Sequence, residues 1–87
     1  MLEHPQRTDD GTNFHWSFPS AQSRTLVLSN AGVAAALVKL KDDKDNTIDA
    51  SNFDVAIPAG ETIFIHNVSI QEITAANTVT IGVSRFI

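Results

Sequence analysis

The stretch Phe53-Asp54-Val55-Ala56-Ile57-Pro58-Ala59-Gly60-Glu61-Thr62-Ile63-Phe64-Ile65 limits what this chain can fold into more than any other. Phe53, Val55 and Ile57 alternate with Asp54 and Ala56, and Ile63 and Ile65 alternate with Thr62 and His66. A period of two puts one set of side chains on one face of a strand. Pro58 cannot donate to a ladder and Gly60 can take a positive φ, so the chain must turn between the two runs. The expected local structure is strand, tight corner, strand.

The same grammar recurs along the chain. Phe14, Trp16 and Phe18 alternate with His15 and Ser17, and Pro19 ends that run. Thr25-Leu26-Val27-Leu28 precedes a turn at Asn30-Ala31-Gly32. Ala36, Val38 and Leu40 then alternate with Leu37, Lys39 and Lys41. Val33 to Leu37 is helix-compatible by propensity alone, but it is short and its flanks read as strand. Asn67 marks a break, Val68 and Ile70 alternate with Ser69 and Gln71, and Thr74-Ala75-Ala76-Asn77 reads as a turn. In the last run Val79, Ile81, Val83, Arg85 and Ile87 alternate with Thr78, Thr80, Gly82, Ser84 and Phe86, with Gly82 a candidate bulge. Short alternating runs separated by regular turn signals specify an all-β fold, a small antiparallel β-sandwich of six or seven strands. The strands are expected at about 14–18, 22–29, 33–41, 47–57, 61–66, 68–73 and 78–87. The expected core is Leu26, Leu28, Val38, Leu40, Phe53, Val55, Ile57, Ile63, Ile65, Val68, Ile70, Val79, Ile81 and Val83.

Residues 1–13 have no period and one aliphatic, Leu2, besides the initial Met1. They are expected as an extended N-terminal arm, distinct from the sandwich domain at 14–87, either frayed or ordered by a neighbouring subunit. The segment has no apolar run of signal-peptide type, so synthesis and folding in a cytoplasm are expected. The run from Thr78 ends in Ile87, so the C-terminus is expected to be tied into the sheet, with Phe86 on the polar face against a neighbouring chain.

Composition excludes several functions. With 87 residues and no cysteine, neither a disulfide framework nor a Cys-based metal site is available. A domain this small needs a well-packed core, an oligomer or a larger partner. The net charge of −4 opposes a nucleic-acid role built on phosphate neutralisation, and no apolar run is long enough to span a bilayer. His4, His15 and His66 have no metal-type spacing, so no metal ligands are assigned. Asp43, Asp45, Asp49 and Asp54 resemble a calcium loop poorly, because Ile48 stands at the glycine place; a solvated turn accounts for them better. No Gly-x-Ser-x-Gly elbow and no phosphate loop is present, Glu61 and Glu72 form no specific acid–base pair, and little volume is expected for a pocket of ~300 Å³ beside the core. No catalytic residue and no cofactor is assigned, and the chain is expected not to be an enzyme.

Ser29-Asn30, the Ala-rich strand, the Asp-rich hairpin, the corner Ile57-Pro58-Ala59-Gly60-Glu61-Thr62 and the final Thr78-Val79-Thr80-Ile81-Gly82-Val83-Ser84 together resemble small β-sandwich virion proteins of tailed bacteriophages. These are capsid decoration (cement) and related head or tail accessory proteins. Ala75-Ala76-Asn77 stands where such chains often carry Gly-Asp. The resemblance implies a non-enzymatic structural protein of the virion, assembled in the host cytoplasm, that binds and stabilises the capsid lattice. Its partners would be the major capsid protein or another virion protein and further copies of itself, not nucleic acid or membrane. The expected partner-binding residues are Arg7, Phe14, Trp16, Phe18 and Phe86. The alternatives are a tail or baseplate accessory protein, or a carbohydrate-binding or adhesion module that stacks sugars on Trp16 with Phe14 or Phe18.

Overall fold

The computed structural model describes residues 1–20, 22–41 and 54–87. The candidate calcium loop, Phe53 and the strand expected before Asp54 lie outside the described residues. Every described element is a strand: β1 (Leu2–Glu3), β2 (Gln6–Asp9), β3 (Asn13–Ser17), β4 (Ser23–Asn30), β5 (Ala36–Lys41), β6 (Asp54–Ile57), β7 (Thr62–Ser69), β8 (Glu72–Ala76) and β9 (Ile81–Phe86). They form a four-stranded sheet in the order β1-β9-β4-β7 and a five-stranded sheet in the order β2-β3-β8-β5-β6. All pairings are antiparallel. The molecule is the small all-β sandwich that the alternation specified, and the two apolar inner faces meet in one core.

Alternation placed most of that core. Leu26, Leu28, Val38, Leu40, Ile57, Ile70 and Val83 are buried, while Val55, Ile63, Ile65, Val68, Val79 and Ile81 pack against them half-buried. Trp16, Phe18, Ala36, Ile73 and Ala75 join the core as well. Phe14 meets Trp16 edge to face, with centroids 5.6 Å apart.

The corner forms as its residues require. Glu61 N–H donates to the Pro58 carbonyl (3.2 Å), and Gly60 takes a φ of 74°, which carries the chain from β6 in one sheet to β7 in the other. Asn30 holds this end of the sandwich. Its side chain is buried among apolar neighbours, so each polar atom must find a partner. Nδ2 donates to the carbonyls of Ala34 (2.8 Å) and Ile57 (2.9 Å), and Oδ1 accepts the Gly32 N–H (2.9 Å). One amide therefore joins β4, the 31–35 connection and β6. This clamp explains why the strand expected from residue 33 starts only at Ala36.

Other boundaries shift for physical reasons. Asn67, read as a break, sits inside β7 at a φ of 57°, where the register against β4 slips between Arg24 and Leu26. This is a bulge that bends the strand without ending it. Thr74 to Ala76, read as a turn, belong to β8, because β3 and β5 pair on both of its sides. Gly82 stays in register opposite Ser29 and is not a bulge. Residues 1–13 do not stand off as an arm: they supply β1, β2 and the turn into β3, paired within the chain. Leu2 and Glu3 pair with Phe86 and Arg85, and Gln6 to Asp9 pair with Ser17 to Phe14. The turn between β2 and β3 is built by carboxylates that accept main-chain N–H groups, Asp9 from Gly11 (2.9 Å) and Asp10 from Thr12 (2.9 Å) and Asn13 (2.7 Å).

Asn30→Ala leaves two main-chain acceptors and one donor unpaired, so a loss of about 3 kcal/mol in unfolding free energy is expected in urea titration. Gly60→Ala, which meets no neighbouring atom but keeps the positive φ, should lose about 1 kcal/mol. The order of the two losses separates a buried hydrogen-bond network from simple backbone strain.

Candidate functional site

The two outer faces of the sandwich differ in kind. On the five-stranded sheet, Thr8, His15 and Thr74 face Lys39 across four strands, and Ser17, Glu72 and Lys41 form the next row. That face is polar, with Leu37 its one large exposed apolar side chain among the described residues. On the four-stranded sheet the outward positions include an apolar group, Leu2 on β1, Phe86 on β9, Val27 on β4 and Phe64 on β7, flanked by polar Ser84, Ser29 with Thr62, and Thr25 with His66. Phe64 and Phe86 stack with centroids 6.5 Å apart and planes 15° from parallel. Yet Phe64 is 53%, Phe86 41% and Leu2 40% exposed. Ser84, on the same face, is buried. Exposed aromatic rings grouped on one sheet face, with no described residue covering them, form an apolar surface of the sort that marks an interaction site.

The residues expected to bind a partner separate accordingly. Phe86 lies on this apolar face. Trp16 and Phe18 are only 5% and 2% exposed, which corrects the expectation of an exposed aromatic stripe. Trp16 lies on β3, internal between β2 and β8, Phe18 directly follows that strand, and both side chains fill the core. The sugar-stacking platform on Trp16 is therefore inside the fold. Phe14 is half-buried at the sheet margin, and the exposed Arg7 guanidinium lies 4.4 Å above its ring, which spreads the cation over the aromatic face. The alternating pattern itself marked Phe64: it is a large aromatic on the Thr62/His66 side of its strand, where a wetted face calls for polar residues.

The densest polar cluster is on the opposite face. His15 Nε2 lies 2.8 Å from Asp10 Oδ2, while Nδ1 lies 3.2 Å from both Glu72 Oε1 and Thr74 Oγ1. A hydroxyl, an imidazole and a carboxylate in sequence resemble a nucleophile–base–orienter set. Here the second carboxylate changes the chemistry. The hydrogen bond to Asp10 foremost, and that to Glu72, raise the pKa of His15 against the opposing effect of desolvation. The two carboxylates favour the imidazolium form, which can donate from both nitrogens and so tie the β2–β3 turn to β8. Asp10 is held down from 3.8 to about 2, chiefly by the Asn13 main chain and then by His15.

A cleft of about 450 Å³ opens at the Asn30 end, between the 31–36 segment and Thr78 to Thr80. Its existence corrects the expectation that a chain of this size has no such volume. Main chain, alanine and threonine groups line it without any ionisable side chain. Among the described residues, no three His, Asp or Glu side chains converge to hold a metal ion, and no helix is long and apolar enough to cross a membrane. Comparison with protein-family models, with curated proteins and with solved structures finds no match.

The clamp has a defined pH window. A raised His15 pKa contributes stability that is complete below the ordinary imidazole value and is lost as pH rises through the raised one; the lowered Asp10 pKa contributes above 3.8 and is lost as pH falls toward about 2. Urea midpoints taken below and well above the ordinary imidazole value of about 6.5 should fall with pH in the native chain and stay level in His15→Gln. An equal fall in both would show that other groups set the dependence.

Proposed function

We propose that this chain is a non-enzymatic structural protein of a tailed-phage virion, a capsid decoration protein that docks on the lattice of major capsid protein subunits. The observation that carries the reading is the Phe64–Phe86 stack, half exposed beside Leu2 on the outer face of the β1-β9-β4-β7 sheet. That face supports a docking role; the resemblance of the corner and final strand to virion proteins supplies the kind of partner. Aromatic side chains concentrate binding energy at the centres of protein interfaces, because they bury large areas with few rotors to freeze. The polar outer face of the other sheet would remain toward solvent.

The docking surface differs from the one the sequence suggested. Phe86 stays from the expected set, Leu2 and Phe64 join it, and Trp16 and Phe18 are buried in the core. The N-terminal segment still takes part, since Leu2 pairs with Phe86 in β1–β9. A weakly binding subunit repeated over a lattice gains strength whenever copies also engage one another.

Phe64→Ser tests the reading. Its side chain is mostly outside the core, so the urea midpoint should change little. Co-sedimentation with capsids of the phage that carries the chain should fall at least about tenfold, the usual effect of truncating an interface anchor. Undiminished binding by the variant would remove this face from the reading, and failure of the native chain to co-sediment would remove the capsid partner.

A further inference from the structure

The four sheet edges in the described structure are defended unequally. Exposed sheet edges invite pairing with another chain, and natural folds blunt them with charge, proline, bulges or brevity. The outermost strand β1 has only two residues. Strand β2 carries Arg7 and Asp9 and is exposed throughout. Strand β6 has four residues, opens on Asp54 and is followed by Pro58. Strand β7 has eight residues, and no described strand other than β4 pairs with it. Its segment Thr62-Ile63-Phe64-Ile65 has no charge and no proline, and it lies ahead of the bulge near Asn67.

Hydrogen bonds at the end of β4 fix which β7 groups face outward. Asn30 N–H donates to the Glu61 carbonyl on the β7 side, and Ala31 N–H donates to the Thr80 carbonyl on the β9 side. Main-chain groups alternate in direction along an antiparallel strand. Leu28 therefore exchanges bonds with its register partner Ile63, and the N–H and C=O of Thr62 and Phe64 point to the open edge. These are two donors and two acceptors in a row of three residues, with no described partner.

We propose that this edge pairs with the same edge of a second copy, antiparallel about a two-fold axis that sets Ile63 opposite Ile63 of the other copy. A two-fold axis normal to the sheet preserves its faces, so residues on one side meet residues on the same side. In this register Thr62 of each copy exchanges both main-chain bonds with Phe64 of the other, and all outward groups of the segment are satisfied. Moving the register by two residues, to centre on Phe64, brings the Asn67 bulge into the pairing and loses that match. The strand has no charged residue, so self-pairing opposes no like charges. The product is a continuous eight-stranded sheet with both Phe64–Phe86 pairs on one face. The pairing deepens the homo-oligomeric part of the functional reading and is independent of any capsid partner.

The test uses the purified chain alone, so its failure is distinct from failure of capsid binding. Sedimentation equilibrium should show a concentration-dependent dimer. Thr62→Pro removes an edge donor and leaves the β4 main-chain ladder intact, and it should weaken dimerisation about tenfold or more relative to Thr62→Ala, which equally loses the Thr62–Ser29 hydroxyl bond but keeps the N–H. Ile63→Cys adds the only cysteine at a non-hydrogen-bonded pair, where Cα atoms approach to about 4.5 Å, and should form a disulfide dimer on mild oxidation. Leu37→Cys, on the far sheet, serves as the control. A native chain monomeric up to millimolar concentration overturns the proposal. So does Ile63→Cys cross-linking no faster than the control.

Discussion

The guanidinium of Arg85 is buried inside a sandwich of largely apolar facing strands, and much of the architecture follows from satisfying it. Only 3% of the residue is exposed. A charge in that position is tolerated only with a counter-charge and hydrogen bonds around it. Glu3 on β1 receives the Nε–H, the Ser20 carbonyl in the β3–β4 crossover receives the Nη1–H at 2.8 Å, and the Phe18 ring lies 4.2 Å beneath the carbon of the group. Two separate segments, β1 and the start of the β3–β4 connection, are thus drawn to one side chain. The N-terminal segment is held against β9 by this demand, since its own residues bring little apolar surface. Asn30 does the corresponding work at the other end of the core, where one amide joins both sheets. The apolar interior fills the space between these two polar anchors.

This arrangement also shapes the surface. Because Glu3 is held inward beside Arg85, its neighbour Leu2 is turned outward beside Phe86. The apolar outer face and the buried ion pair are therefore two sides of the same strand pairing. A partner that docks on Leu2, Phe64 and Phe86 would press on β1 and β9, the strands Arg85 ties together. On the other sheet the His15 clamp fixes the β2–β3 turn with charge, which leaves that face polar.

Much of the fold was legible from residue order because a half-buried strand writes its inner face into every second position. Leu26 with Leu28, Val38 with Leu40, and Ile63 with Ile65 were placed correctly for that reason, and the Pro58–Gly60 corner by turn chemistry. Polar residues that interrupt an apolar row were read too weakly. Arg85 continues the Val79, Ile81, Val83 row, and Asn30 continues the Leu26, Leu28 row, so each position announced a buried polar group. The pairing of residues 1–13 left little trace, since an outer strand exposed on every residue, as β2 is, has no reason to alternate; only Asp10-Gly11 signalled a hairpin. The binding face was partly legible. Phe86 stood out on a polar row, whereas Phe64 passed unnoticed between two core isoleucines. Trp16 was open both ways, since an aromatic row can close a core or dock a partner, and its internal strand buries it.

The most direct measurement is the unfolding free energy of Glu3→Ala beside that of Arg85→Met, in urea at neutral pH. Removing Glu3 strands a buried cation and should cost about 3 kcal/mol, whereas the methionine fills the same space and leaves a partly exposed carboxylate that water can solvate, so its cost should be clearly smaller. A Glu3→Ala chain as stable as the native one would contradict the account, because the N-terminal strand would then owe nothing to the buried charge.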